Sequence, residues 1–311
     1  MPDRRANMNP SHEKRNVCGR AGFTLVELLV ASTLGLMTMA ALASLFATFG
    51  RTVSQTQAIV DLNGRMRNAA WRLRQDLQGM TAPAKTWART EANAGYFQIV
   101  EGGTTTTTAL IGDCGDTLAL TTLALGNPFT GRLDADTNFE SPFAEVVWFC
   151  EPSTQQFEGQ TLFTLYRRQL LVSATPGAGL FTNSVTASIS RDVSDLSYRT
   201  GGTGQVANSL ADLTKAANRF LTLAGATRTL QGDRLGEDVI LSNVLAFDVR
   251  RYSVTAGTAT LLDQSFNTDY TDGGNPSGTT APSGIEIRIR CIEPSSRQVR
   301  QFIVVHAFEA Q

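Results

Sequence analysis

The sequence predicts an α+β fold in which a long N-terminal helix packs on an antiparallel β-sheet. Two observations carry this prediction. Proline is absent from residues 23–82, and the apolar residues of that stretch recur at helical spacing. From residue 83 onwards, short runs rich in apolar residues, some strictly alternating, are separated by turn-forming residues, which is typical of strands. A helix followed by a separate series of strands is the arrangement of α+β domains.

The composition is that of an ordinary globular chain. The 311 residues carry 27 Lys+Arg against 28 Asp+Glu, and 42% of them are hydrophobic, which excludes wholesale disorder. The balanced charge gives no support for nucleic-acid binding. The sequence has only two histidines, His12 and His306, which excludes a histidine-rich zinc centre.

One apolar segment interrupts this average. Residues 21–50 contain a single charge, Glu27, and are bracketed by Arg20 and Arg51. About 20 helical residues cross a hydrocarbon core of about 30 Å, so the segment predicts one membrane span. Residues 1–22 form a basic leader with five basic and two acidic side chains. By the positive-inside rule this short arm stays cytoplasmic, and the chain after Arg51 lies outside the inner membrane.

Three interpretations of this N-terminus compete. A cleaved secretory signal has a basic start, but its apolar core is shorter and has no carboxylate near its beginning. A plain signal anchor tolerates the length but gives no reason for Glu27, because a charge deep in a bilayer costs about 2.5–3.5 kcal/mol. The third interpretation rests on a short motif that explains the carboxylate.

Residues 22–31 combine a glycine, an aromatic residue, a glutamate and the start of an apolar helix in the order GFTLVELLVA. This motif resembles the class III signal of type IV prepilins and type II secretion pseudopilins. The resemblance implies cleavage after Gly22 by a prepilin peptidase, which also acts as the methyltransferase of the new N-terminal Phe23. It implies that residues 23–50 first lie in the membrane and later form the core of a fibre. Partners are then other pilin or pseudopilin subunits and the assembly platform of the pilus or type II secretion system.

The resemblance also gives Glu27 a role. This residue falls at the fifth mature position, where the family has its glutamate, four residues after the amine that cleavage would create. An unpaired carboxylate is costly in an apolar medium and a paired one is tolerable. The family resemblance implies that Glu27 pairs with the N-terminal amine of a neighbouring subunit and sets the register between subunits. The alternative is a carboxylate that only complements the helix dipole.

The helix is predicted to continue beyond the membrane through an amphipathic segment, residues 51–82. Gly79 is a plausible C-terminal cap, and Pro83 prevents continuation. One face is apolar, at Ile59, Leu62, Met66, Ala69 or Ala70, Leu73, Leu77 and Met80. The other faces are charged, at Arg65, Arg67, Arg72, Arg74 and Asp76.

Residues 83–311 are predicted to form an exported, β-rich domain. The last two strands suggest a terminal hairpin, and the continuously apolar run 302–308 indicates a central strand. Residues 210–224 are a weaker candidate for a helix, and loops are predicted at 101–108, 173–183, 200–206 and 254–283. The predicted strands are Gly95–Val100, Thr117–Leu123, Glu145–Cys150, Thr161–Val172, Val239–Tyr252, Ile285–Cys291 and Gln298–Ala307.

Two weaker features suggest a branch of the family. Removal of the leader would leave 289 residues, more than a typical major pilin has. The segment 238–252, followed by a variable loop and the alternating strand 285–291, resembles PilW-type minor pilins and J-type pseudopilins, in which it closes the second half of a double-sheet domain.

The cysteines allow one disulfide. Cys18 would be lost with the leader, which leaves Cys114, Cys150 and Cys291. In an exported, oxidising setting one bond is plausible, and Cys114–Cys150 closes the shortest loop. Three reduced cysteines remain an open alternative.

An acidic segment gives a weak calcium candidate made of Asp134, Asp136, Asn138 and Glu145. The spacing resembles a calcium loop, but Phe139 replaces the required glycine and the flanks do not indicate helices. A solvated acidic loop is therefore favoured, and the oxygen-rich segment 269–275 is interpreted in the same way.

The sequence shows no motif for catalysis and none for a cofactor. It therefore predicts a non-enzymatic minor pilin or pseudopilin, made as a single-pass inner-membrane precursor. The mature chain would carry 22 basic against 26 acidic residues, once the 5 and 2 of the leader are subtracted, and this disfavours nucleic acid as a partner. The alternative is a membrane-anchored extracytoplasmic binding module that does not assemble into a fibre. The sequence does not show whether the fibre would be a type IV pilus or a type II secretion pseudopilus.

Overall fold

The computed structural model describes residues 22–84, 93–102, 111–133, 136–174, 194–201, 204–221, 228–230, 234–268 and 281–308. The chain forms two compact units, one that ends at Ser54 and one that starts at Gln55. A single helix, α1, runs from Leu25 to Gln78 and contributes to both. Residues 1–21 of the predicted leader, Cys18 included, lie outside the described residues.

In the first unit, α1 exposes its apolar side chains. It is long and apolar enough to cross a membrane, and none of its most apolar stretch is buried in the protein. Several hydroxyl groups there bond within the helix: Ser32 donates to the carbonyl of Leu29 and Thr33 to that of Val30, both at 2.9 Å. The helix therefore presents few unsatisfied polar groups, as an apolar environment demands.

In the second unit, one face of α1 packs on a sheet. Gly79 follows the last helical residue, and its N–H donates to the carbonyl of Gln75 at 3.0 Å. Met80 then forms a bridge to Thr122, which ties the end of the helix to the sheet. The buried positions of α1 are Leu62, Met66, Ala69, Ala70, Leu73, Asp76 and Leu77.

Thirteen strands follow in the described part of the chain. They are β1 (Phe97–Val100), β2 (Thr117–Leu123), β3 (Phe129–Arg132), β4 (Asn138–Ser141), β5 (Phe143–Phe157), β6 (Gln160–Val172), β7 (Tyr198–Gly201), β8 (Gly204–Ala207), β9 (Val239–Thr255), β10 (Thr258–Leu262), β11 (Phe266–Asn267), β12 (Gly284–Glu293) and β13 (Gln298–Ala307). A short helix, α2 (Leu210–Leu213), precedes a 3₁₀ turn at Ala216–Asn218.

Nine of these strands form one antiparallel sheet. Its order is β11-β1-β2-β5-β6-β9-β12-β13, with β10 paired to β9, and two further hairpins join β3 to β4 and β7 to β8. The main core lies between α1 and this sheet, with Leu73, Trp148 and Phe247 among its members. A second cluster on the opposite face packs α2 and the following turn on the sheet through Leu213 and Phe220.

The α+β prediction is confirmed by this arrangement, and the terminal hairpin is present as β12 and β13. Several details were wrong. The run 302–308 was predicted to be a central strand, but residues 302–307 belong to β13, which is the last strand of the sheet among the described residues and is mostly exposed. Residues 210–224 give only α2 and a 3₁₀ turn, and the predicted loops 200–206 and 254–283 contain β7 to β8, β10 and β11. Most of the loops predicted at 101–108 and 173–183 lie outside the described residues.

Candidate functional site

The predicted cleavage site lies just before α1. Gly22 and Phe23 precede the helix, and 86% of the surface of Phe23 is exposed. Thr24 then accepts a hydrogen bond at its carbonyl oxygen from the N–H of Leu28, at 3.2 Å, which opens the helical ladder. The residues of the motif thus meet at the start of a regular helix, with the bond after Gly22 outside it.

Glu27 closes a capping box with Thr24. Its Oε2 accepts hydrogen bonds from the backbone N–H and the hydroxyl group of Thr24, at 2.9 and 3.0 Å. In return the hydroxyl oxygen of Thr24 accepts from the N–H of Glu27 at 3.3 Å. This reciprocal arrangement satisfies two of the N–H groups that a helix start leaves without partners. The sequence signal was the spacing Thr-x-x-Glu, which our sequence interpretation did not use.

The two capping hydrogen bonds orient the Glu27 carboxylate and use only one of its two oxygens. Both bonds to the side chain use Oε2, and Glu27 as a whole is exposed. Oε1 is therefore at the surface of the helix in the described residues. Such a carboxylate complements the helix dipole and can also accept a hydrogen bond from another chain.

A buried ion pair that the sequence interpretation missed joins α1 to the sheet. Asp76 and Arg167 of β6 meet through two bonds of 2.7 and 2.8 Å, and both side chains are 4% exposed. The indole N–H of Trp148, in β5, donates to the same carboxylate at 2.9 Å. These three side chains fix the last turn of α1 on the sheet, since a buried charge is tolerated only when it is paired and hydrogen-bonded.

The expectation that Asp76 belongs to a charged outer face was therefore wrong. The available signal was its spacing, because Asp76 lies three residues after Leu73 on the same stripe of the helix. A second signal was the Arg167–Arg168 pair inside an otherwise apolar strand. Neither signal names the partner, which only the register of β5 and β6 supplies.

Cys114, Cys150 and Cys291 share one core. Cys114 and Cys291 are buried, Cys150 is half-buried, and all three are free thiols. The ladder places Thr117 opposite Phe149, so the start of β2 brings Cys114 near Cys150 of β5. Burial raises the pKa of the Cys150 thiol, and it raises that of Cys291 to about 12, which makes these thiols poor nucleophiles. A disulfide between Cys114 and Cys150 stays a prediction.

The structure does not assemble the candidate calcium ligands into one loop. Asp134 lies outside the described residues, as do the acidic residues of segment 269–275, whereas Asp136 and Asn138 are exposed. Glu145 lies in β5 and is completely buried. Its carboxylate accepts hydrogen bonds from the Tyr96 hydroxyl (2.8 Å), the Ser197 hydroxyl (2.6 Å) and the Phe220 N–H (2.8 Å). Glu145 thereby holds the segment after α2 against the sheet.

Another group of carboxylates was not anticipated. Glu101, Asp113 and Asp116 have ligand oxygens within 4.8 Å of one another. Asp116 is held by the N–H groups of Gly102 (3.2 Å) and Val249 (2.7 Å). Burial raises the pKa of Glu101 to about 7, with Asp113 as the next contributor, and burial likewise raises that of Asp116 to about 7. Spacing alone does not define a metal site.

A comparison with known families agrees with this geometry. Residues 18–43 match the family model described as the prokaryotic N-terminal methylation motif. No curated protein matches the chain, and no solved structure matches it. The chain therefore carries a class III prepilin signal, followed by the long helix and antiparallel sheet of a pilin-like α+β fold. The signal implies a type IV pilin-like or pseudopilin protein that is anchored by its N-terminal helix.

Proposed function

We propose that this protein is a minor pilin or pseudopilin that is cleaved after Gly22, methylated at Phe23 and assembled into a fibre through Glu27. The observation that carries the proposal is the geometry of the first helical turn. The motif at residues 18–43 coincides with an exposed apolar helix. At the start of that helix, Thr24 holds one oxygen of Glu27 and leaves the other at the surface.

Cleavage would place a positive amine on Phe23, next to the residue that caps the helix. In the apolar core of a fibre, the amine of one subunit and the carboxylate of the next are both costly unless they meet. Because Thr24 fixes the side chain of Glu27, the pair would form at one axial offset between subunits. The partners of this step are the prepilin peptidase with its methyltransferase activity, other pilin or pseudopilin subunits, and the assembly platform.

The test replaces Glu27 in the full chain, expressed in its own host. We expect Glu27→Ala to insert into the membrane normally and to be lost from sheared fibres, because the intersubunit pair is gone. The measurement is the ratio of fibre-borne to membrane-borne protein, with a loss of at least tenfold expected. Ser32→Ala is the matched control, since it removes a polar group that bonds only within the helix.

Normal incorporation of Glu27→Ala would overturn the register role. If neither the wild-type chain nor Ser32→Ala is found in fibres, the membrane-anchored binding module becomes the better interpretation.

A further inference from the structure

The last strand of the sheet presents an open edge. Among the described residues, β13 pairs with β12 and with no strand on its other side. Its face away from α1 is apolar and exposed, at Val299 (39%), Ile303 (43%) and Val305 (60%). A long strand with an open backbone edge and apolar side chains is a template for pairing with another strand.

A basic groove runs along this edge. It has a volume of about 290 Å³ and lies between α1 and β13. Its floor is partly apolar, with Met66, Ala70 and Phe302, and its rim carries Arg67 and Arg74 from α1 and Arg300 from β13. In the part of the chain that the structure describes, no carboxylate pairs with any of these three arginines. The nearby Asp61 is already paired with Arg65 at 2.9 Å.

We propose that β13 and this basic groove dock an extended acidic segment of a different protein chain. The segment adds to the sheet as a further strand and places carboxylates at alternate positions against Arg67, Arg74 and Arg300. The inference rests on the proposed function in one respect, since in a fibre the docked chain would be a neighbouring subunit.

The spacing of the arginines suits a strand. Arg67 and Arg74 are seven residues apart, which is about 10 Å along a helix. Side chains on one face of a strand repeat every two residues, or about 7 Å, so two or three carboxylates of one segment can reach the three guanidinium groups. Apolar residues on the other face of the segment would then cover Ile303 and Val305.

Two other occupants fit less well. A lipid headgroup or free phosphate would pair with the arginines but would leave the N–H and C=O groups of the β13 edge unsatisfied. A second copy that pairs through its own β13 would bring two sets of three arginines together, and like charges in contact are unfavourable. A different chain with an acidic strand satisfies both the backbone edge and the charges.

The test uses the purified full chain in a zwitterionic detergent. The probe is a fluorescently labelled ten-residue peptide that alternates Glu with Val or Thr, compared with the same peptide carrying Gln in place of Glu. We expect saturable binding of the acidic peptide that weakens with added salt, and at least tenfold weaker binding of the Gln peptide, measured by fluorescence anisotropy. Arg67→Glu/Arg74→Glu and, separately, Arg300→Glu should reduce the affinity for the acidic peptide at least tenfold.

The matched control is Arg297→Asp, which reverses an exposed charge at the β12–β13 turn, where φ is 55° and Asp is tolerated. It should bind the acidic peptide as the wild-type chain does. Equal affinity for the two peptides, or unchanged binding by the Arg67 and Arg74 double variant, would overturn the proposal. Displacement of the peptide by glycerol phosphate at equal charge would also overturn the proposal, because a phosphate would then be the ligand. Dimerisation of the wild-type chain that is abolished in Arg67→Glu/Arg74→Glu would overturn it too, because the occupant would then be a second copy. None of these outcomes depends on fibre assembly, so the proposed function is tested separately.

Discussion

At the scale of single residues, Asp76 shows how one charged side chain fixes a helix on a sheet. Its carboxylate receives two bonds from Arg167 and one from Trp148, and the group is almost completely buried. Burial of two charges is costly, so the pair does not by itself stabilise the domain beyond an apolar alternative. The pair ties the last turn of α1 to β6, because the carboxylate and the guanidinium are both buried and bonded to each other.

We predict that Asp76→Asn destabilises the exported unit by about 3–5 kcal/mol, since it leaves the charge of Arg167 buried without a counter-charge. The measurement is urea unfolding of the purified full chain in mild detergent, followed by circular dichroism. Asp61→Asn is the control, because it removes one partner of an exposed pair and should cost less than about 1 kcal/mol. A similar small loss for both variants would show that the buried pair does not hold the helix.

The carboxyl cluster makes stability depend on pH. The pKa values of Glu101 and Asp116 are raised to about 7, so the folded chain retains protons that the unfolded chain has lost. The contribution of these groups to stability therefore falls as pH rises from about 4 to about 7 and changes little above that range. The loss is at most about 1.36 kcal/mol for each unit by which a pKa is raised.

Glu101→Gln tests this dependence, because one oxygen of Glu101 is buried without a hydrogen-bond partner among the described residues. The variant should melt about 2–4 °C above the wild-type chain at pH 8, for a gain of about 1 kcal/mol, and show no such gain at pH 4. Calorimetry at the two pH values measures the difference. Glu140→Gln, an exposed position, should melt as the wild-type chain does at both. A gain that is equal at pH 4 and pH 8 would contradict the proton linkage.

At the scale of elements, the sequence predicted where helices and strands lie better than it predicted which elements pair with one another. The apolar stripe of α1 and its end near Gly79 followed from spacing and turn chemistry alone. Strand β12 was visible from strict alternation, because one of its faces is buried. The edge position of β13 was not visible, since its composition is as apolar as that of a central strand and only the sheet order reveals which side is open.

The junction between α1 and the sheet gives a test at this scale. A methyl group on Gly79 would overlap the carbonyl oxygen of Leu123, whereas one on Gly64 would meet nothing. Gly79→Ala should therefore destabilise the second unit by about 1–3 kcal/mol through overpacking. Gly64→Ala, the matched control, should stabilise it by up to about 1 kcal/mol, because alanine is the better helix former. Urea unfolding measures both, and a stabilising Gly79→Ala would contradict the close approach.

At the scale of the whole molecule, the near-zero net charge conceals two different parts. Residues 1–22 carry five basic against two acidic residues, and the remainder carries 22 against 26. The N-terminal motif was readable from sequence because its residues act locally, at fixed spacing along one helix. The basic groove beside β13 was not, because its arginines come from α1 and from a strand more than 200 residues later.

The most direct test of the account is mass spectrometry of the mature N-terminus, from cells with and without the prepilin peptidase. The account predicts a chain that begins at N-methylated Phe23 when the peptidase is present, and the uncleaved precursor when it is absent. Residues 41–43 read Ala-Leu-Ala, which resembles a secretory cleavage site, so an N-terminus near Ser44 in both strains would show an ordinary secretory signal and would contradict the account.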